Sequence, residues 1–186
     1  WLAKLLAQSP NIPVVNSSEG VTLLAEDPHI WSSPRNARQM VQNIAAALSE
    51  SFPAQKAQIE ANRVTLTADI EAMDNSFRAM FSELKTRRFF VFHSAWKYFA
   101  KDYNLEEVAI EHGCKEPSAD DIHHVVEEAR ASGARTIFAQ PTMSRASADV
   151  VAKEIGGEVI MVNCLSEDWL QAMVQSAKEF KNALSQ

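Results

Sequence analysis

The feature that most restricts this chain is a repeated change of hydrophobic period after Lys85. Short apolar runs at Phe89–Phe92, Glu107–Ile110, Arg135–Ala139 and Glu158–Val162 alternate with segments of helical spacing at Ser94 to Asp102, Ser118 to Ala131, Ser144 to Ile155 and Ser166 to Leu184. Ser118 stands where an N-cap belongs, Gly133 where that helix should stop, and Gly156 with Gly157 at the close of the next one. Consecutive apolar runs are too widely separated by helices to form hairpins. They must therefore lie parallel, with helices on both faces of the sheet. The predicted class is α/β, with a four-stranded parallel sheet in residues 86–186.

The first half reads differently. Residues 1–26 suggest a short helix from Trp1 to Ala7, a proline-bounded extended piece from Ile12 to Val15, and a loop through Asn16 to Gly20. From Pro34 to about Leu84 the pattern is helical, with Met40, Ile44, Ala47 and Leu48 on one stripe, and Pro53 interrupts it. Proline is costly inside a helix but welcome in its first turn, so one helix should end near Ser51 and a second begin at Pro53. At 1.5 Å per residue the second is a rod of roughly 45 Å, longer than a small domain is wide. Such a rod bridges two bodies, which divides the chain into 1–52, 53–85 and 86–186.

Eighteen basic residues against twenty-four acidic ones give a formal charge of −6, with no basic run longer than Arg87-Arg88, which argues against a nucleic-acid partner. The longest apolar stretches, Phe89–Phe92 and Ile44–Leu48, fall far short of the roughly 20 residues of a membrane helix. The chain opens on Trp1-Leu2-Ala3-Lys4, with neither an initiator Met nor a signal-like segment, as a processed chain or a fragment would. Phosphate-binding glycine signatures and a GxSxG elbow are absent, and neither Cys114 nor Cys164 has the basic setting of a reactive thiol.

Ligands of a parallel sheet gather beyond the carboxyl ends of its strands, where this sequence places His93, the Glu111-His112 pair, Gln140 and Asn163. His93 reads either as a satisfied histidine at the rim of the core or as a ligand. His29 lies in Asp27-Pro28-His29-Ile30-Trp31-Ser32-Ser33-Pro34, where two prolines stiffen the backbone. That loop is either a helix entry anchored by Trp31 or a rigid holder for a metal ligand. His123 and His124 are neighbours on one helix, about 100° apart, and read as a solvated face.

Taken together, these segments resemble the extracytoplasmic zinc- and manganese-binding proteins that deliver metal to ABC importers. The matching residues are Asp27–Pro34, Pro53 with Asn62, Val91–Ala100 with Tyr103 and Leu105, Glu116–Ser118, Ile137–Pro141 and Val162–Trp169. The resemblance implies two Rossmann-like α/β lobes joined by one long helix, a metal held between them, a membrane permease as partner, a periplasmic or otherwise extracytoplasmic location and no enzymatic activity. It implies His29 as the ligand from the N-terminal lobe and His93 as that from the C-terminal lobe, with zinc preferred over manganese because both donors are imidazoles. The family's first ligand, a histidine early in the N-terminal lobe, would lie before residue 1, in a missing part of the same protein. Asn163 takes the place of the usual aspartate and would be a weak ligand. Gln140, where glutamate is frequent, would stand with Glu111 and His112 behind the ligands. Two rival readings keep the same residues: an adhesin-like module with an impaired site, and a zinc-dependent hydrolase using Glu111 as its base. A family-like strand order would set the second and fourth strands apart, so Cys114 and Cys164 are expected to remain thiols.

Overall fold

The computed structural model describes residues 2–9, 11–24, 27–111, 118–141 and 145–185. Helices α1 (Leu2–Gln8), α2 (Pro34–Ser51) and α3 (Lys56–Phe81) precede the sheet. Then β1 (Arg88–His93), β2 (Glu106–Glu111), β3 (Thr136–Ala139) and β4 (Glu158–Met161) alternate with α4 (Lys97–Asp102), α5 (Ala119–Ser132), α6 (Ala146–Glu154) and α7 (Trp169–Ala183). All strands are parallel, in the order β2-β1-β3-β4. The expected α/β class and four-stranded parallel sheet are present, and β2 and β4 lie at opposite edges.

Strand β1 explains why four apolar residues stand in a row. Successive side chains of a strand point to opposite faces, and both faces of this sheet are covered. Phe89 and Val91 enter a core with Met73, Phe77 and Phe81 of α3, Phe99 of α4, and Met173, Ala177 and Phe180 of α7. Phe90 and Phe92 enter the opposite core, with Val125, Val126 and Ala129 of α5 and Ala148, Val151 and Ala152 of α6. The α5 boundaries follow their signals: Ser118 and Asp121 form a reciprocal capping box, and Gly133 adopts a φ of +70° in the left-handed region. Gly157 is required for another reason, since a Cβ there would lie 2.1 Å from the carbonyl oxygen of Arg135 at the entry to β4.

Three boundaries differ from expectation, the first through a contact distant in sequence and the second through a local cap. The helix expected from Ser94 begins at Lys97, because Glu107 on β2 takes the Ser94 hydroxyl and the Trp96 backbone N–H at 2.6 Å each, holding residues 94–96 out of the helix. The last helix starts at Trp169 rather than Ser166, capped by Asp168 accepting from the Gln171 N–H. Pro53–Gln55 form a 3-10 turn, so the rod is the 26-residue α3, about 39 Å long. Its buried residues, Ile70, Met73, Asp74, Phe77 and Phe81, all lie in its second half, against the sheet. Its first half packs along α2, leaving Ile44, Leu48, Val64 and Leu66 exposed.

Phe99 is the hub of the first core. Its ring lies 4.7 to 5.8 Å, centroid to centroid, from Tyr103, Phe180, Phe81, Trp96 and Phe77, tying α3, α4 and α7 together. Phe99→Ala should therefore cost about 3–5 kcal/mol of stability. Urea unfolding should show a lowered midpoint with an unchanged slope, and a loss below about 1 kcal/mol would mean that this cluster does not carry the core.

Candidate metal centre

His29 is fixed by its own loop before anything else touches it. Asp27 Oδ1 accepts the backbone N–H of His29 at 2.9 Å and lies 2.7 Å from its ring Nδ1. The Ser32 hydroxyl donates to the His29 carbonyl, and the turn Ile30–Ser32 leads to Ser33, which caps α2 with Pro34 in its first position. The stiffness expected from the two prolines is thus supplemented by a carboxylate two residues before the imidazole. Burial pushes the Asp27 carboxyl up, but the hydrogen bonds from the His29 ring and backbone, with the charges of His29 and Lys97, outweigh it and leave the group below its ordinary value.

His93 is placed by sheet register. It is the last residue of β1 and pairs directly with Glu111, the last residue of β2. Its Nδ1 lies 3.2 Å from Glu111 Oε2. A shift of one residue in this register would turn one partner to the other face of the sheet. His93 also ends the strand beside β3, at the point where the chain order of the sheet reverses direction, the usual place for a ligand crevice.

The two rings meet with their centroids 5.2 Å apart and their planes at 82°. A ring bonded through one nitrogen to zinc at about 2.05 Å has its centroid about 3.2 Å from the ion, and two such rings at the tetrahedral angle stand about 5.2 Å apart. A carboxylate oxygen can only accept, so each Nδ1 carries a proton, and in the neutral ring Nε2 is then the atom with the lone pair. Both carboxylates are buried, and among the described residues Asp27 Oδ2 and Glu111 Oε1 have no hydrogen-bond partner. Two buried carboxylates behind two imidazole donors favour a cation between the rings. Trp31 packs edge-on beside His29, its ring 5.4 Å from that of the imidazole.

The other sequence candidates are arranged differently. Gln140 is buried just after β3 and turns its amide nitrogen to Cys164 Sγ at 3.9 Å. Asn163, just beyond β4, gives its carbonyl oxygen to the Leu165 backbone N–H at 2.9 Å. Cys164 is buried without a disulfide, and burial pushes its thiol up, which keeps it protonated at neutral pH. His112 and Cys114 lie outside the described residues. His123 and His124 are exposed on α5. Among the described residues, no group of three or more His, Cys, Asp or Glu side chains converges to hold a metal. Sequence reasoning missed Asp27, although an aspartate two positions before a histidine across a proline was the available signal.

The model of the zinc-uptake complex component A, periplasmic family (ZnuA) matches residues 1–183. This chain belongs to that family. A crystal structure of ZnuA is 34% identical with a TM-score of 0.94, covering 98% of this chain and 74% of its own. The Zn(II)-bound ZnuA-like domain of Streptococcus pneumoniae AdcA is 26% identical with a TM-score of 0.84, covering 100% of this chain and 76% of its own. The zinc-binding lipoprotein AdcA of Streptococcus pneumoniae serotype 4 is 29% identical over 173 residues, which are 86% of this chain and 34% of that relative. The chain thus spans about a third of the length of this curated relative. Members of the ZnuA family are binding components, not enzymes.

The hydrogen bonds fix a tautomer that can be read without metal. In nitrogen NMR of the neutral imidazoles, His29 and His93 should both carry the proton on Nδ1. A proton on Nε2 of either ring would contradict the arrangement.

Proposed function

We propose that this chain is the metal-capturing part of an extracytoplasmic zinc-binding protein that hands the ion to the membrane permease of an ABC importer. The observation that carries this reading is the convergence of two imidazoles whose free Nε2 atoms are each backed by a buried carboxylate through Nδ1. Carboxylate–imidazole–zinc relays of this kind fix ring orientation and raise the basicity of the donor nitrogen. Neutral nitrogen donors suit zinc better than manganese, which favours hard oxygen ligands. Zinc-bound structures of relatives, a ZnuA deletion mutant and the AdcA domain, support the same ion.

In this reading His29 and His93 are the ligands, Asp27 and Glu111 orient them, and Asn163 occupies a weak further position. The remaining coordination is completed by water or by a residue of the N-terminal part of the full protein. Helix α3 joins two lobes, with residues 1–52 belonging to the first and 86–186 forming the second. The family's periplasmic description and the lipoprotein relative support an extracytoplasmic address. Among the described residues no helix is long and apolar enough to cross a membrane.

Hydrolysis does not fit the residues. The base available for it, Glu111, is bound to the Nδ1 side of His93, across the ring from any ion on Nε2. A carboxylate there steadies the ligand and cannot take a proton from metal-bound water. Binding and release without bond chemistry is what remains.

Calorimetric titration tests this. The parent chain should bind one zinc ion, and His29→Ala and His93→Ala should each weaken binding by about 100-fold or more. Glu111→Gln should weaken it by about 10- to 100-fold through loss of orientation. Unchanged affinity in both alanine variants would overturn the reading. Asn163→Asp can keep its turn to Leu165 with one oxygen and offer the other to the ion. The added Coulombic attraction, less the desolvation of the new charge, should tighten zinc binding by about tenfold. Equal affinity would mean that residue 163 does not face the metal.

A further inference from the structure

Helix α4 is only six residues long, yet it is tied to both segments that carry the imidazoles. On one side it follows His93 through Ser94, Ala95 and Trp96, and this link is clamped. Glu107 receives the Ser94 hydroxyl on one oxygen and the Trp96 N–H on the other, with Trp96 itself fully buried. On the other side, the His29 loop is attached to α4 at both flanks. Upstream, the Tyr98 hydroxyl donates to the Asp27 carbonyl at 3.0 Å and accepts the Leu24 N–H at 2.9 Å. Downstream, the Ser33 hydroxyl donates to Asp102 Oδ2, and Arg35 lies 3.8 Å from the other oxygen of that carboxylate. The helix cannot easily shift, since Phe99 seats it in the aromatic core.

Asp27 orients the His29 ring within its own loop, but that bond says nothing about where the loop lies relative to the sheet. The distance between the two rings is set by the ties to α4. Of these, Tyr98 is the most direct, because it holds the backbone of Asp27 itself, the residue whose carboxylate grips the imidazole. A hydroxyl can donate and accept at once, and here it does both, at a site where Tyr98 is only 3% exposed and water is a poor substitute.

We propose that Tyr98 is a positioning residue of the zinc site, its hydroxyl bridging Leu24 and Asp27 so that the His29 loop is locked to α4 at a fixed distance from His93. This rests on the reading of His29 and His93 as ligands of one zinc ion. Two donors already at metal-bridging distance require little ordering when the ion arrives, and freeing one of them restores that cost. The role is specific to the loop side of α4. Tyr103, whose hydroxyl makes a buried bond to Asp74 Oδ1 at 2.8 Å, faces α3 and has no part in it.

The test compares Tyr98→Phe with Tyr103→Phe in the full chain. Each loses one buried hydroxyl, so both should lower the melting temperature. Only Tyr98→Phe should weaken zinc and cobalt(II) binding, by about tenfold, and change the visible absorption of bound cobalt. In the metal-free chain, Tyr98→Phe should also weaken the proton cross-relaxation between the rings of His29 and His93, which Tyr103→Phe should leave intact. Ser33→Ala cuts the downstream tie and should shift the same cross-relaxation in the same direction, which keeps the proposal open to refutation even should Tyr98→Phe not fold. Parent-like affinity and cross-relaxation in Tyr98→Phe would overturn the proposal, as would equal effects in Tyr103→Phe. Should the parent chain bind neither metal, the zinc reading fails, while the metal-free cross-relaxation still decides whether Tyr98 sets the ring separation.

Discussion

The imidazoles of His29 and His93 are each held through Nδ1 by a carboxylate that the fold has taken out of water, and the rest of the site follows from that constraint. A buried carboxylate is tolerated only with strong partners, and here each has one oxygen on a histidine and the other without a hydrogen-bond partner among the described residues. In the neutral rings the arrangement fixes the tautomer, with the proton on Nδ1 and the lone pair on Nε2. A dication bound between the two rings would offset the charge of the two carboxylates behind them.

The two halves of the site are made by different physics. His93 and Glu111 meet because β1 and β2 are in parallel register, with hydrophobic burial on both faces of the sheet preventing a slip. His29 and Asp27 meet because a short proline-stiffened turn folds on itself. Joining a register-determined half to a turn-determined half needs a rigid intermediary. Helix α4, fixed in the aromatic core by Phe99, occupies that place, while the long α3 packs on the same core from further away. A site referenced to one rigid body needs little closure to bind.

The fold was legible in the sequence because its signals are local. The alternation of apolar runs with helical spacing, the Ser118 cap and the Gly133 stop all lie within a few residues of what they determine. What was not legible depends on contacts distant in sequence. The late start of α4 is caused by Glu107, beyond that helix in sequence, and the pairing of His93 with Glu111 requires knowing which strands are neighbours. His29 and His93 stood out through the motifs around them, whereas Asp27 and Tyr98, which hold them in place, looked like ordinary loop and helix residues. Polarity at strand ends marked Gln140 and Asn163 but not their partners: their amides turn to Cys164 and to the Leu165 backbone.

If His29 and His93 are ligands of one ion, it sits between their Nε2 atoms, and an anomalous difference map at the zinc edge from crystals of the chain grown with zinc would locate it. A single strong peak is expected about 2.1 Å from both Nε2 atoms, with Asp27 and Glu111 still on the Nδ1 sides. A peak on the exposed His123-His124 pair with none between His29 and His93, or a peak bound to the carboxylates in place of the rings, would contradict it.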